Sequence, residues 1–294
     1  MQEIVLGPTV YAIIKPCLLC KARLLRMNQI VALPIAVILY NAALIALVVG
    51  FRGLMPMRRA EHLAILLAVP ASLIHAVLVW QNLYTAAGIN LAVVNAASLV
   101  GWLTGITLLI ASLRQPVISL GVVIFPLAAL TLALASLSAP STQALVPIGA
   151  AVDIHVISSV LAYSIFALAS AQALLLAWQD HALRRRHPGG LLGVLPPLQV
   201  MEALLFQLLI VGFILLSFAL LTGWLFVDNL LAQDLVHKTV ISGLAWIVFA
   251  AVLVGRYFAG WRGRTAVRGT LGGFLLLALA YFGSKVVLEL ILGR

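Results

Sequence analysis

"LLIVGFILLSFALLTGWLF", residues 208–226, contains no charged side chain, and its only hydroxyls are Ser217 and Thr222. A helix needs about 20 mostly apolar residues to cross the hydrocarbon core of a bilayer. Inside that core every backbone N–H and C=O must be paired within the helix itself. The stretch therefore reads as the centre of a membrane span, 204–227. The whole chain follows the same pattern: hydrophobic residues make up 64% of 294 and charged residues 9%, against roughly 25% charged in soluble domains. Mean hydropathy is +1.18. The expected fold class is all-α, a polytopic membrane helix bundle of about eight transmembrane helices. The spans fall at 29–50, 63–80, 90–113, 117–138, 154–178, 204–227, 238–258 and 269–292. No long polar segment remains for a second domain, so 27–294 is expected to be a single transmembrane domain.

The net charge of +10 does not indicate nucleic acid, because the basic residues are scattered through short loops and form no continuous patch. They set a topology instead. Arg52, Arg58 and Arg59 follow the first span and Arg114 the third. Arg184, Arg185 and Arg186 follow the fifth, and Arg256, Arg262, Arg264 and Arg268 flank the turn after the seventh. The alternate loops "QNLYTAAGIN", "PSTQALVPIGAAVD" and "VDNLLAQDLVH" have no Lys or Arg. The excess of Lys and Arg on cytoplasmic loops then places loops 51–62, 114–116, 179–203 and 259–268 inside and both termini outside.

Residues 1–26 conflict with that topology, since Lys15, Lys21, Arg23 and Arg26 fall on the expected outer side. Met27 opens "MNQIVALPIAVILY", directly into the first span. The segment reads as an N-terminal extension from a mis-assigned start. The rival reading is a basic helix lying on the membrane surface. Cys17 and Cys20 form a single CxxC without a second pair, which is weak evidence for metal or redox chemistry.

Most interior polar groups have structural explanations. Gly101 and Gly105 in "GWLTG" have the small-xxx-small spacing of closely packed membrane helices. Trp80 and Trp224 near the outer boundary, and Trp178 and Trp261 near the inner one, suit interfacial anchoring; Trp102 and Trp246 lie deeper and suit core packing, with the lining of a pocket as the alternative. "GWRGR", 260–264, offers guanidinium groups to lipid phosphates. "RRRHPGGLLGVLPP" reads as a cytoplasmic turn, followed by "LQVMEALLFQ" as an interfacial helix. His181 and His187 belong to that loop, and His62 starts the second span from the inside.

His75, His155 and His237 differ, because all three fall in the outer leaflet on separate spans. Neutral imidazole is a common metal ligand, and a bis-histidine pair can hold a haem iron between helices. No carboxylate or cysteine joins them at that depth, which argues against a zinc hydrolase. Asp153 stands two residues before His155, as a helix cap or an outer-shell group. His155, Ser159 and Tyr163 recur every four residues along one side of the fifth span, with Asn95 and Ser98 at similar depth on the third. A polar stripe in a membrane must face protein or a cavity, and helix-to-helix bonding and ligand binding both satisfy that requirement.

"HVISSVLAYSIFALASAQALLLA", "LLIVGFILLSFALLTGWLF", "KTVISGLAWIVFAAVLVGRYFAGWRGRTAV" and "YFGSK", in that order, resemble the cytochrome c assembly family. Within it the resemblance is to the YpjD/HemX branch, related to the haem-handling CcsA and CcmC proteins. It covers most of 63–292. The resemblance implies a bundle that handles haem near the outer face, with haem b as the cofactor. His155 falls on the external histidine that ligates haem in CcsA-type proteins, and His75 on a histidine in the second span of YpjD-like ones. Cofactor-binding positions are thus His75, His155 and His237, with His75 and His155 as the iron ligands. There are departures. The tryptophan-rich "WWD" segment is replaced by "WLFVDNLLAQDLVHKT", in which Lys238 aligns with the lysine after that segment and His237 with a non-ligand position. Val254 stands near a missing histidine, and "SKVVLELILGR" lacks another.

The expected function is a haem-binding integral membrane protein of cytochrome c assembly or haem supply in a bacterial inner membrane. Its partners are haem, the lipid bilayer and other cytochrome-assembly or membrane proteins. The alternative is a non-catalytic membrane regulator of an enzyme or transporter. No nucleophile–base constellation appears, so the chain is not read as an enzyme. No internal repeat or broken helix favours a transporter.

Overall fold

The computed structural model describes residues 8–85, 88–138, 145–146, 150–184, 196–226 and 233–283. Eight helices carry the fold: α1 (Pro8–Phe51), α2 (Met57–Leu83), α3 (Val93–Ser112), α4 (Gly121–Leu137), α5 (Ala150–Arg184), α6 (Leu198–Phe226), α7 (Gln233–Ala259) and α8 (Arg264–Ala278). Each is long and apolar enough to cross a membrane, α4 together with the 3-10 turn Ile118–Leu120 before it and α8 together with the π turn Leu279–Gly283 after it. The chain is a multi-pass membrane helix bundle, as its composition requires.

Its boundaries differ from the sequence expectation at informative places. α1 runs unbroken from Pro8, so residues 8–26 continue the helix of the first span; residues 1–7 lie outside the described residues. The second span is not short, since α2 extends from Met57 to Leu83. "LQVMEALLFQ" is not a separate interfacial helix but the first turns of α6. Its continuity has a physical cause. Met201 is buried in the core, its carbonyl accepts a hydrogen bond from Gln172 Nε2 at 2.8 Å, and Glu202 is ion-paired. Segments read as plain loops form a small antiparallel ribbon of β1 (Tyr84–Thr85), β2 (Gly88–Asn90) and β3 (Leu145–Val146). Tyr84 pairs with Ile89, and Ile89 with Val146.

Two clusters make the core. One joins α1, α2, α3 and α4 around Tyr40, Leu47, Leu108 and Phe125. Ala60, Ala64 and Ala68 repeat every four residues along α2 and are fully buried, so small side chains let α1 and α2 approach closely. Gly101 does the same for α3 and α4, because a Cβ there would stand 2.4 Å from Thr131 Oγ1. The second cluster joins α5 to α8. At its centre Phe166 and Phe249 stack at 3.8 Å, with Gly212 beneath one ring and Gly273 beneath the other. α5 bridges the halves, since Leu168 and Ala171 pack into the first cluster and Ala169 and Ala173 into the second.

The end of the bundle carrying the arginines is closed by ion pairs. Arg256 donates to Glu202 at 2.6 Å and lies over the Phe206 ring at 4.6 Å. Asp180 meets Arg184 at 3.0 Å and Arg264 at 3.5 Å. The turn between α7 and α8 takes left-handed backbone at Gly260 and Gly263. There the Trp261 ring covers Gly255, where a Cβ would be 2.4 Å away.

Candidate functional site

Because successive helices run in opposite directions, the ends of α2, α4, α6 and α8 meet the starts of α3, α5 and α7 at the other end. His75 and His155 both lie there. His75 is eight residues before the end of α2, about 12 Å along the axis at 1.5 Å per residue. That is deeper than the shorter span implied. His155 lies in the second turn of α5. His237 lies near the start of α7, but its side chain, like that of Asp153, falls outside the described residues.

The structure does not bring His75 and His155 into one cavity. His75 is fully buried between α1, α2 and α3. Its Nδ1 is 3.3 Å from Tyr40 Oη and its Nε2 is 3.0 Å from Ser98 Oγ. Both ring nitrogens are therefore engaged by protein hydroxyls, and neither has a lone pair directed at open space. Asn95, on the same helix as Ser98, donates to the carbonyls of Asn82 and Asn90. The polar groups of α3 tie helices and the ribbon together.

His155 stands in different surroundings. It lines a cavity of about 470 Å³ enclosed by α3, α5, α6, α7 and the turn after α8, within the range of roughly 300–1,000 Å³ for small-molecule sites. The α5 stripe faces it as the four-residue spacing predicts, with His155, Ser159 and Tyr163 all in the wall. Val100, Leu216, Leu220 and Leu277 supply apolar walls. After α8 the chain enters a π turn, Leu279–Gly283, which presents Tyr281 and Phe282 to the cavity. Tyr163 donates to the Leu277 carbonyl and Tyr281 to that of Leu91, fixing both rings.

The tautomer of His155 follows from its partner. Nδ1 lies 2.8 Å from the Ala219 carbonyl oxygen of α6. A carbonyl can only accept, so Nδ1 carries the hydrogen and the neutral ring keeps its lone pair on Nε2. The same arrangement orients metal-ligating histidines, whose second nitrogen donates to a backbone carbonyl. Thr222 Oγ1 lies 3.4 Å from Nδ1 and donates to the Ala219 carbonyl itself.

Gly223 is a site residue that sequence reasoning missed. A Cβ there would stand 2.9 Å from His155 Cε1 and 3.2 Å from Nδ1, so the imidazole rests on bare backbone. The available signal was a glycine inside an apolar helix, a choice that costs about 1 kcal/mol relative to alanine and so calls for a packing reason. The remaining candidates lie elsewhere. His62 and His181 are exposed at the arginine-rich end, and His187 is outside the described residues. Trp102 donates to the Ser72 carbonyl and Trp246 to Ser217 Oγ, both as packing groups. Among the described residues no cluster of three His, Cys, Asp or Glu side chains could hold a metal ion.

Comparison with known proteins adds a frame to this geometry. Residues 60–292 match the family described as "Cytochrome C assembly protein". The chain is 30% identical over 259 residues to "Inner membrane protein YpjD" of Escherichia coli (strain K12), covering 87% of this chain and 97% of that protein. The YpjD of Escherichia coli O157:H7 matches equally. An "Uncharacterized 28.8 kDa protein in nifR3-like 5'region" of Azospirillum brasilense is 34% identical over 146 residues, 48% of this chain and 53% of its own length. No solved structure matches.

Proposed function

Since the chain belongs to the cytochrome c assembly protein family, we propose that it binds haem at the cavity beside His155 and serves cytochrome assembly or haem supply in a bacterial inner membrane. The observation that carries this reading is the Nδ1 hydrogen bond to the Ala219 carbonyl, which leaves Nε2 with its lone pair at the edge of an apolar cavity.

The residues present fit the group. An axial imidazole needs an unprotonated nitrogen and a fixed ring plane; the Ala219 carbonyl supplies the first condition and the Gly223 backbone the second. A porphyrin needs apolar surroundings, and Val100, Leu216, Leu220 and Leu277 line the cavity. Haem itself would supply the iron and its redox couple, while His155 holds it in place and the apolar walls exclude water. His75 has no vacant nitrogen, and its role in this reading is to fasten α1, α2 and α3. His237 stays a proposed secondary contact at the α7 end of the site. Haem is bound through one described histidine, at the end that the Lys and Arg distribution assigns to the outer face.

The test is the absorption spectrum of the full-length protein purified in detergent after haem supplementation. A Soret band that shifts on reduction, and that is lost or converted in His155→Ala but retained in His62→Ala and His181→Ala, supports the reading. A colourless wild type, or an unaltered band in His155→Ala, overturns it and favours the non-catalytic regulator.

A further inference from the structure

The cavity beside His155 is apolar within but not at its edge. Lys238, near the start of α7, is the only charged residue among those that line it besides the titratable imidazole, and no carboxylate lines it among the described residues. Two neighbouring wall residues are exposed: Trp224 at the end of α6, at 70%, and Thr239 beside Lys238 on α7. Trp224 at the end of α6 and Lys238 with Thr239 at the start of α7 therefore belong to the part of the cavity wall that reaches the protein surface, an indole on one helix and an ammonium on the other. The positive end of the α7 dipole lies on the same side as the ammonium.

We propose that Lys238 recognises an anionic end group on the cavity's ligand, an amphipathic molecule whose apolar body lies against the apolar walls. This rests on the reading of the cavity as a ligand site. A flexible lysine places its methylene stem along apolar surface and its charge at the polar boundary, where a carboxylate pairs with it. The ligand chemistry is a carboxylate on an apolar body. The propionates of haem and the head of a fatty acid both present it.

The two sources separate by comparing acid with ester. Full-length protein in lipid nanodiscs is titrated with haemin against haemin dimethyl ester, and with oleate against methyl oleate, following thermal stabilisation and bound ligand. Wild type is expected to prefer the acid of at least one pair by about five- to tenfold, the scale of one charge-assisted contact at a partly exposed site. Lys238→Gln should abolish the preference and Lys238→Arg should keep it. The ratio is taken within each variant, so a general loss of stability that weakens acid and ester alike leaves it unchanged. Discrimination confined to haemin supports the inference together with the haem reading. Discrimination confined to oleate supports Lys238 and defeats the haem reading. Equal binding of acid and ester by wild type in both pairs, or an undiminished preference in Lys238→Gln, overturns the inference.

Discussion

His155 on α5 rests against the backbone of Gly223 on α6, so closely that a Cβ at position 223 would stand 2.9 Å from His155 Cε1. The two residues are 68 positions apart in sequence, yet the orientation of one depends on the absence of a side chain in the other. Gly223→Ala should push the ring off its seat and weaken its bond to the Ala219 carbonyl, while improving the helix propensity of α6 by up to about 1 kcal/mol. Because these two effects oppose each other, the expected outcome is an apo-protein within about 1 kcal/mol of wild-type stability, with haem uptake reduced about tenfold or more on the 1.4 kcal/mol-per-decade scale. Parallel absorption titration and thermal unfolding check this. Unchanged uptake would show that the ring's seat does not matter to the site.

His75 should behave in the opposite way. Its ring bonds the hydroxyls of Tyr40 and Ser98 in a fully buried position, and removing a buried partner costs roughly 1–3 kcal/mol for each group left unpaired. Histidine 75→alanine should therefore destabilise the bundle with or without haem, and Tyr40→Phe should do so by a smaller amount. Haem-induced stabilisation should persist in both. Thermal unfolding of wild type and the two variants, each with and without haemin, reads the difference. A His75→Ala protein of wild-type stability that no longer responds to haemin would return His75 to the ligand set.

How far the site could be read from the chain depended on the range of the interactions involved. The spans and the α5 stripe were legible because hydrophobicity and a four-residue repeat are local signals. Histidine 155 was legible for the same reason, as an imidazole at the head of an apolar helix. Its tautomer was not, because that depends on the Ala219 carbonyl of another helix. The pairing of His75 with His155 rested on shared depth along two helices. Depth says nothing about azimuth, and the two rings face different neighbours. The ribbon of Tyr84–Thr85, Gly88–Asn90 and Leu145–Val146 was missed because strands of two or three residues carry no periodicity. "LQVMEALLFQ" read as a separate interfacial helix because the match between Glu202 and Arg256 of another helix, which lets α6 run on from Leu198, leaves no local signal.

Topology has a direct test. In a Cys17→Ser, Cys20→Ser background, single cysteines at Gln115 and Ser138, both exposed beyond the two ends of the bundle, should label from opposite sides of the membrane in intact cells and inverted vesicles. Position 138 should react with an impermeant reagent added outside, and position 115 only in inverted vesicles, because Arg114 marks the cytoplasmic end. The reverse pattern would place the His155 cavity on the cytoplasmic face and rule out an outer-face haem site.

The two acids at the arginine-rich end should differ in importance. Glu202 has a side chain 16% exposed and takes Arg256, itself 30% exposed, at 2.6 Å, with Arg262 at 3.9 Å. Asp180 is 27% exposed, and its partners Arg184 and Arg264 are 63% and 62% exposed. Pairs with exposed partners contribute about 0–1 kcal/mol. A partly buried pair costs more to break, because the surviving charge loses its partner in a less polar place. Glutamate 202→glutamine should destabilise by about 1–2 kcal/mol, after discounting the fully buried value for the exposure of Arg256. Aspartate 180→asparagine should cost under about 1 kcal/mol, and its effect should fade at high salt as exposed pairs are screened. The contact of Arg256 with Phe206 sharpens the comparison, since Arg256→Lys keeps the charge but loses the planar stacking. That variant should lie between wild type and Arg256→Ala in thermal stability. Equal losses for Glu202→Gln and Asp180→Asn at both low and high salt would show that burial does not distinguish the two clamps.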